Sequence, residues 1–287
     1  MRADPARPGT VEPGTVRSGH GSSPDGDTVL RLAVEQFTVH AESFGSSPVM
    51  NDAGALDALI ELCALQPGDR VLDVACGPGI VSCRLAEAEP SVTVVGVDAT
   101  PAMVTLAEAR AAEGGVGDRV TFRAGRMEQL PFADAGFDVV VSRYALHHAA
   151  DPAAVAAELA RVAGPAGRVV VFDFDAGEHP VAAQAYDEAE RFRDPSHVRN
   201  LTAAAQRALF DAVGLRLDAS CAHRLPADLD TVLSRSHGTD HGRVRSAFEA
   251  SIGGHGLGVG AHRVGDGIAF AYPICGSRFV GPDGRPD

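Results

Sequence analysis

The chain has 287 residues, 45% of them hydrophobic, a formal net charge of -13 and no lysine. So acidic a balance argues against a duplex nucleic-acid surface, which needs a basic face, while a local basic pocket for an anionic substrate stays open. No run of about 18 apolar residues occurs and the N-terminus has no apolar signal-peptide core, so neither a membrane span nor a secretory signal is expected.

Residues 1–27 are rich in Pro, Gly, Ser and Arg, which predicts a disordered tail. From 28 to 44, Val29, Leu32, Ala33, Phe37, Val39 and Phe44 predict an amphipathic helix, broken by Gly45-Ser46-Ser47-Pro48. A second helix runs through Leu56, Leu59, Ile60 and Leu62, and Pro67-Gly68-Asp69 turns the chain into a first strand, 70–75. Gly77 and Gly79 follow, then a helix with Ile80, Val81 and Leu85 on its apolar side. A second strand, 92–97, ends at Asp98; Thr100 and Pro101 start the next helix, and Gly114-Gly115 end it. Strand three is 120–123. Strand four, 137–142, releases Arg143-Tyr144-Ala145-Leu146-His147-His148 at its carboxyl end. Asp151-Pro152 opens a helix that stops at Gly164-Pro165, and strand five is 168–173. Apolar strands alternating with helices predict an α/β fold with a mostly parallel sheet covered on both faces.

Past residue 177 the alternation pauses. A helix over 180–194 has Val181, Ala185 and Phe192 as apolar positions, and a polar loop fills 193–199. A helix from Thr202 to Val213 leads to a sixth strand, 215–219. A Gly-, His- and Arg-rich stretch, 226–262, is expected to be a mobile cover, followed by a last strand, 268–280, and a polar tail, 281–287. Five cysteines with no zinc-ribbon spacing suit a reduced, cytoplasmic protein.

The chemistry is concentrated in Val71-Leu72-Asp73-Val74-Ala75-Cys76-Gly77-Pro78-Gly79, a strand, a glycine turn and a helix start. Glycines let a ligand approach the backbone, and a helix start offers free N–H groups. A dinucleotide fingerprint wants a third small residue, where this chain has Ser82, and Asp73 would repel a pyrophosphate. The same acid suits a ligand with an ammonium group. Asp98, at the tip of the second strand, suits a ribose diol.

Residues 34–280 resemble class I S-adenosyl-L-methionine (SAM)-dependent methyltransferases of the ubiquinone/menaquinone-biosynthesis type. The match rests on the glycine turn, Gln36-Phe37, Leu130-Pro131-Phe132, Phe137-Asp138-Val139-Val140, Arg143 to His148 and Arg193 to Arg199. The resemblance implies a Rossmann-like, seven-stranded, mostly parallel sheet with the last strand antiparallel. It implies a methyltransferase domain over 28–280, with an N-terminal helical lid at 28–66 and substrate-binding insertions at 177–262. Asp73, Ala75, Gly77 and Gly79 would hold the methionine part of SAM, and Asp98 the ribose. Ala99, Met103 and the Met127 backbone would border the adenine. Arg143 would lie under the sulfonium or carboxylate, and Phe37 and Phe44 would belong to the lid. Arg126 stands where the family commonly has an adenine-accepting Asp, and Arg cannot accept a hydrogen bond. Three outcomes stay open: another acceptor serves, Arg126 stacks on the adenine, or SAM affinity drops.

Methyl transfer to a hydroxyl, amine or carbon acid calls for a base, and histidine suits it. His148, His147 and His197 are the candidates, each with a structural role as the alternative. His237 and His241 lie four apart, but flanking glycines and the want of a third ligand leave no metal site expected. The expected activity is methyl transfer to oxygen or carbon of a small, partly apolar biosynthetic intermediate, possible in bacterial secondary metabolism, releasing S-adenosylhomocysteine. The expected assembly is a monomer or homodimer, with no nucleic-acid or membrane partner. The alternative is a protein of the same fold that keeps SAM as a fixed charge for cyclisation or rearrangement.

Overall fold

The computed structural model describes residues 25–236, 238–254 and 256–284. Five strands, β1 (Arg70–Val74), β2 (Thr93–Asp98), β3 (Val120–Ala124), β4 (Val139–Arg143) and β5 (Arg168–Phe174), are parallel. β8 (Gly267–Val280) runs antiparallel between β5 and β6 (Arg216–Asp228), and a short β7 (His262–Val264) pairs with β8. The order is β3-β2-β1-β4-β5-β8-β6, so the sheet has the expected seven strands in line and an eighth off that path.

Side chains alternate across the parallel strands, as the pleat requires. Val71, Val139, Val141, Val170 and Phe172 face α2 (Ala53–Cys63) and α3 (Ile80–Ala88). Leu72, Val140, Val169 and Val171 face the other way, onto α5 (Pro152–Ala163) and α7 (Ala203–Ala212). Helix starts are set by side-chain caps: Asp52 accepts from Ala55 N, Asp151 from Ala153 and Ala154 N, and Thr202 from Ala205 N. α4 (Pro101–Glu113) begins with proline in its first turn, but Thr100 makes no side-chain cap bond.

Several boundaries differ from expectation. α1 spans Gly26–Gly45 with Asp25 as its cap, so the helix starts inside the expected tail; residues 1–24 lie outside the described residues. Gly281 to Gly284 are not a free tail, since Asp283 N donates to Pro165 O and Gly284 is buried. Val39 and Val181 point outward, at 63% and 82% exposure. In α6 (Pro180–Arg193) the buried face is instead Ala182, Tyr186, Asp187, Ala189 and Glu190, whose carboxylates hid the period from an apolar count.

The largest difference is the stretch read as a mobile cover. β6 runs nine residues past its expected end, along β8, with a register shift between Leu217 and Ala219. α8 (Leu229–Ser234) and α9 (His241–Ser251) then pack through Leu229, Leu233, Val244 and Phe248 onto Ile268, Phe270 and Tyr272 of β8. With α6 they form a cap over the carboxyl edge of the sheet. Its exposed polar strand gave no apolar alternation to read.

Gly276 lets α2 seat against β8. A Cβ there would lie 2.6 Å from Leu62, 2.7 Å from Phe172 and 2.8 Å from Cys221. Gly276→Ala is expected to destabilise the fold by about 1–3 kcal/mol through overpacking, read as a lower urea midpoint at unchanged slope.

Candidate active site

The strand order reverses between β1 and β4, and their carboxyl ends flank a crevice of the kind that binds ligands in open α/β sheets. A cavity of about 220 Å³ opens there. α1 supplies Val29, Ala33, Phe37 and Phe44 to its wall, the cap supplies Thr231, Val232 and Arg235, and β8 supplies Tyr272.

At the end of β1 three alternate residues, Ala75, Gly77 and Gly79, take left-handed conformations with φ of 58°, 52° and 75°. A Cβ on Gly77 would meet nothing within 4 Å, so this glycine faces open space. A Cβ on Gly79 would lie 2.9 Å from the Ala107 Cβ and 3.1 Å from Phe122. Gly79 therefore permits close packing of α3 on α4 and does not line the cavity, contrary to its expected role. Arg110 fastens the turn by donating to Pro78 O at 2.8 Å and to Gly45 O at 3.0 Å.

Asp98 joins the two strand ends: it accepts from Gly77 N and Thr100 N, both at 2.8 Å. Burial raises its pKa above the ordinary carboxylate value, against those two N–H bonds. Asp73 is 1% exposed and accepts from Ser82 Oγ at 2.6 Å. Burial pushes its carboxyl up to about 7, opposed by the Ser82 bond and reinforced by the Asp98 charge. Arg143 donates to Met50 O at 2.9 Å and lies 4.3 Å over the Tyr144 ring, while its Nε and Nη2 are buried without a hydrogen-bond partner.

At the far end Ala99, Met103, Gly125 and Met127 line the cavity. Arg126 does not. It turns away and donates to Asp27 of α1 at 3.0 Å, so it does not stack in the cavity. Glu128 lines the cavity instead; its Oε2 is buried, accepts no hydrogen bond and lies 3.8 Å from Arg126 Nε.

The segment after β4 makes one 3-10 turn that brings His147 and His148 to the cavity, their ring centroids 4.1 Å apart. Asp173, at 2% exposure, receives His147 Nδ1 at 2.7 Å and the N–H groups of Ala145, Leu146 and Phe174. Burial raises the Asp173 pKa, but the His147 charge and these hydrogen bonds outweigh it and hold the carboxyl below its ordinary value. An ionised Asp173 fixes the proton on Nδ1, which leaves the lone pair of a neutral His147 on Nε2.

His148 is placed differently. Its Nδ1 meets Ser196 O and Ser196 Oγ, both at 3.1 Å, and burial beside His147 takes its pKa well down. A neutral imidazole of such low basicity is a poor proton acceptor. His197 does not reach the cavity. Its Nε2 pairs with Asp187 at 2.8 Å, and its ring lies 5.6 Å from His147. Of the metal pair weighed above, His237 lies outside the described residues and His241 Nε2 meets Ser236 Oγ at 3.2 Å.

Sequence reading gave no site role to Ser82, Glu128, Tyr144, Phe174 or Asp173. One signal was present: Asp73, Asp98 and Asp173 all sit at or next to the ends of apolar parallel strands. The cavity lining fits SAM: a buried acid just before the left-handed turn for its ammonium, two Arg143 nitrogens without hydrogen-bond partners for its carboxylate, and Glu128 Oε2, which accepts no hydrogen bond, for its adenine amino group.

Residues 65–220 match the family model for the methyltransferase domain. An uncharacterised methyltransferase of Bacillus subtilis, YcgJ, is 35% identical over 69% of this chain and 78% of its own. Its crystal structure superposes with a TM-score of 0.71 over 80% of this chain and 99% of that one. A ubiquinone/menaquinone C-methyltransferase, UbiE, of Ectopseudomonas mendocina is 31% identical over 64% of this chain and 73% of its own. The 27-O-demethylrifamycin SV methyltransferase of Amycolatopsis mediterranei is 38% identical over about half of each chain, 48% and 50%. The chain belongs to the methyltransferase-domain family and is a SAM-dependent methyltransferase of Rossmann-like fold.

Proposed function

We propose that this chain methylates a hydroxyl oxygen of a small, partly apolar biosynthetic intermediate, with His147 as the general base. The carrying observation is the His147–Asp173 pair, whose free Nε2 belongs to a ring lining the cavity. SAM supplies a methyl group already activated on a positive sulfur. What the protein must add is binding, alignment, exclusion of water and removal of one proton.

In this reading Asp73 holds the ammonium of the methionine part, with Ser82 fixing its rotamer, and the Arg143 Nε and Nη2 take the carboxylate. Asp98 shifts from backbone donors alone to the ribose hydroxyls. Glu128 accepts from the adenine amino group in place of Arg126. Phe37 and Phe44 of α1 keep water from the reacting centre. His147 Nε2 takes the hydroxyl proton, and Asp173 stabilises the resulting imidazolium as it does in other carboxylate–histidine pairs. The oxygen acceptor is favoured over carbon because the base is a preset histidine. The 27-O-demethylrifamycin SV methyltransferase, to which half of this chain is similar, acts by its name at an oxygen.

The test is incubation with methyl-deuterated SAM and a set of hydroxylated small molecules, followed by mass spectrometry. One labelled methyl per product supports the reading, and a product of unchanged mass would mean cyclisation or rearrangement. His147→Gln is expected to lower kcat about 100-fold or more with SAM affinity unchanged. Asp173→Asn should act in the same direction by reversing the tautomer.

Binding should also depend on pH. The SAM ammonium pairs with ionised Asp73, whose pKa burial raises to about 7. Below that value a proton must first be lost, so affinity falls as pH falls. Calorimetry should show SAM binding roughly tenfold weaker near pH 6 than near pH 8, and Asp73→Asn should flatten the profile. Glu128→Ala should weaken SAM by about 1–2 kcal/mol but leave the inosine analogue, which has no amino group, unaffected.

A further inference from the structure

The cavity has a second wall that the cofactor roles leave unused. Tyr144 and Phe174 stack at 4.8 Å with an interplanar angle of 11°, and Tyr272 continues the row at 4.9 Å from Phe174. The three rings come from the ends of β4 and β5 and from β8, and all three line the cavity. Tyr144 is held there at φ 53°, a conformation that costs a non-glycine residue about 1–3 kcal/mol. His147 lies against the edge of the row, 5.0 Å from Phe174.

Arg143 lies 4.3 Å over the Tyr144 ring and is assigned above to the SAM carboxylate; the other charges beside the wall are paired. Arg193 is ion-paired with Glu190, Asp194 accepts from Ser196 Oγ and N, and Asp173 is paired with His147. The wall therefore offers aromatic faces to a neutral ring. Acidity points the same way. A phenolic hydroxyl ionises near pH 10, within reach of a histidine, whereas an aliphatic hydroxyl, like water, is a far weaker acid.

We propose that the substrate is a phenol, a planar ring whose hydroxyl stands beside His147 and whose face packs against the Phe174 and Tyr272 end of the row. This rests on the hydroxyl-methylation reading above. The phenol O–H gives its proton to His147 Nε2. The oxygen pair forms the new bond to the methyl carbon as the carbon–sulfur bond breaks. The bonding pair stays on sulfur, S-adenosylhomocysteine leaves neutral, and His147 returns its proton to water.

The test uses 2-naphthol and its saturated twin, decahydro-2-naphthol, titrated by calorimetry into protein saturated with S-adenosylhomocysteine. The chain has no tryptophan and only three tyrosines, two of them in the wall, so tyrosine fluorescence gives an independent readout. We expect 2-naphthol to bind about fivefold or more tightly than the saturated alcohol and to quench that fluorescence. Phe174→Leu should erase the preference, with retained S-adenosylhomocysteine binding as the check on folding. Equal or reversed affinities, or no binding of either alcohol, overturn the phenol class. Failure of S-adenosylhomocysteine to bind, measured first, overturns the methyltransferase-site reading instead. Label transfer from SAM to the saturated alcohol alone would retain hydroxyl methylation and reject the phenol.

Discussion

A single buried carboxylate, Asp173, organises the wall of the cavity that carries His147. It ends the apolar run of β5 and accepts four hydrogen bonds, three from backbone N–H groups and one from His147. Removing a charge from water is costly unless its lone pairs are answered, and here they are. The same bonds draw the segment after β4 into its 3-10 turn. They fix which nitrogen of His147 carries the proton. The local fold and the orientation of the His147 ring thus depend on one group. Across the cavity Asp73 accepts from Ser82 Oγ, yet burial outweighs that bond and the Arg143 charge and leaves its pKa raised.

The glycine turn, the acids at the strand ends and the strand–helix alternation were legible because each follows from local chemistry. Continuous apolar strands mark a buried parallel sheet, and Gly77 at positive φ marks a close approach. The cap was not legible. Its long strand β6 is polar and half exposed, and is held by pairing with β8, a partner about fifty residues away in sequence. Likewise nothing local says that Phe174 and Tyr144 stack, or that Glu128 and not Arg126 faces the cavity. Gly79 and His197 fit sequence patterns for ligand and base, yet close helix packing and the bond to Asp187 account for them.

Arg126 gains a different meaning from its position. It joins the loop after β3 to Asp27 of α1, while Arg110 holds the other end of that helix through Gly45 O and Arg235 holds Ser43 O. The Arg126 pair is exposed and adds little stability on its own. Together the three contacts tie α1 to elements on opposite sides of the cavity. α1 carries Phe37 and Phe44, so this wall of the cavity is held in place by guanidinium groups drawn from three separate elements.

The placing of β8 bears on how the molecule assembles. It is the last strand of the described chain, yet it lies inside the sheet, between β5 and β6. A nascent chain emerging from the ribosome can pair β1 to β5 early, but β5 keeps an open edge until residues 267–280 emerge. An unpaired apolar strand edge invites pairing with other chains, and such long-range closure is slow. The interval between completing β6 and threading β8 beside it is thus the stretch of biosynthesis in which a chaperone has most to protect.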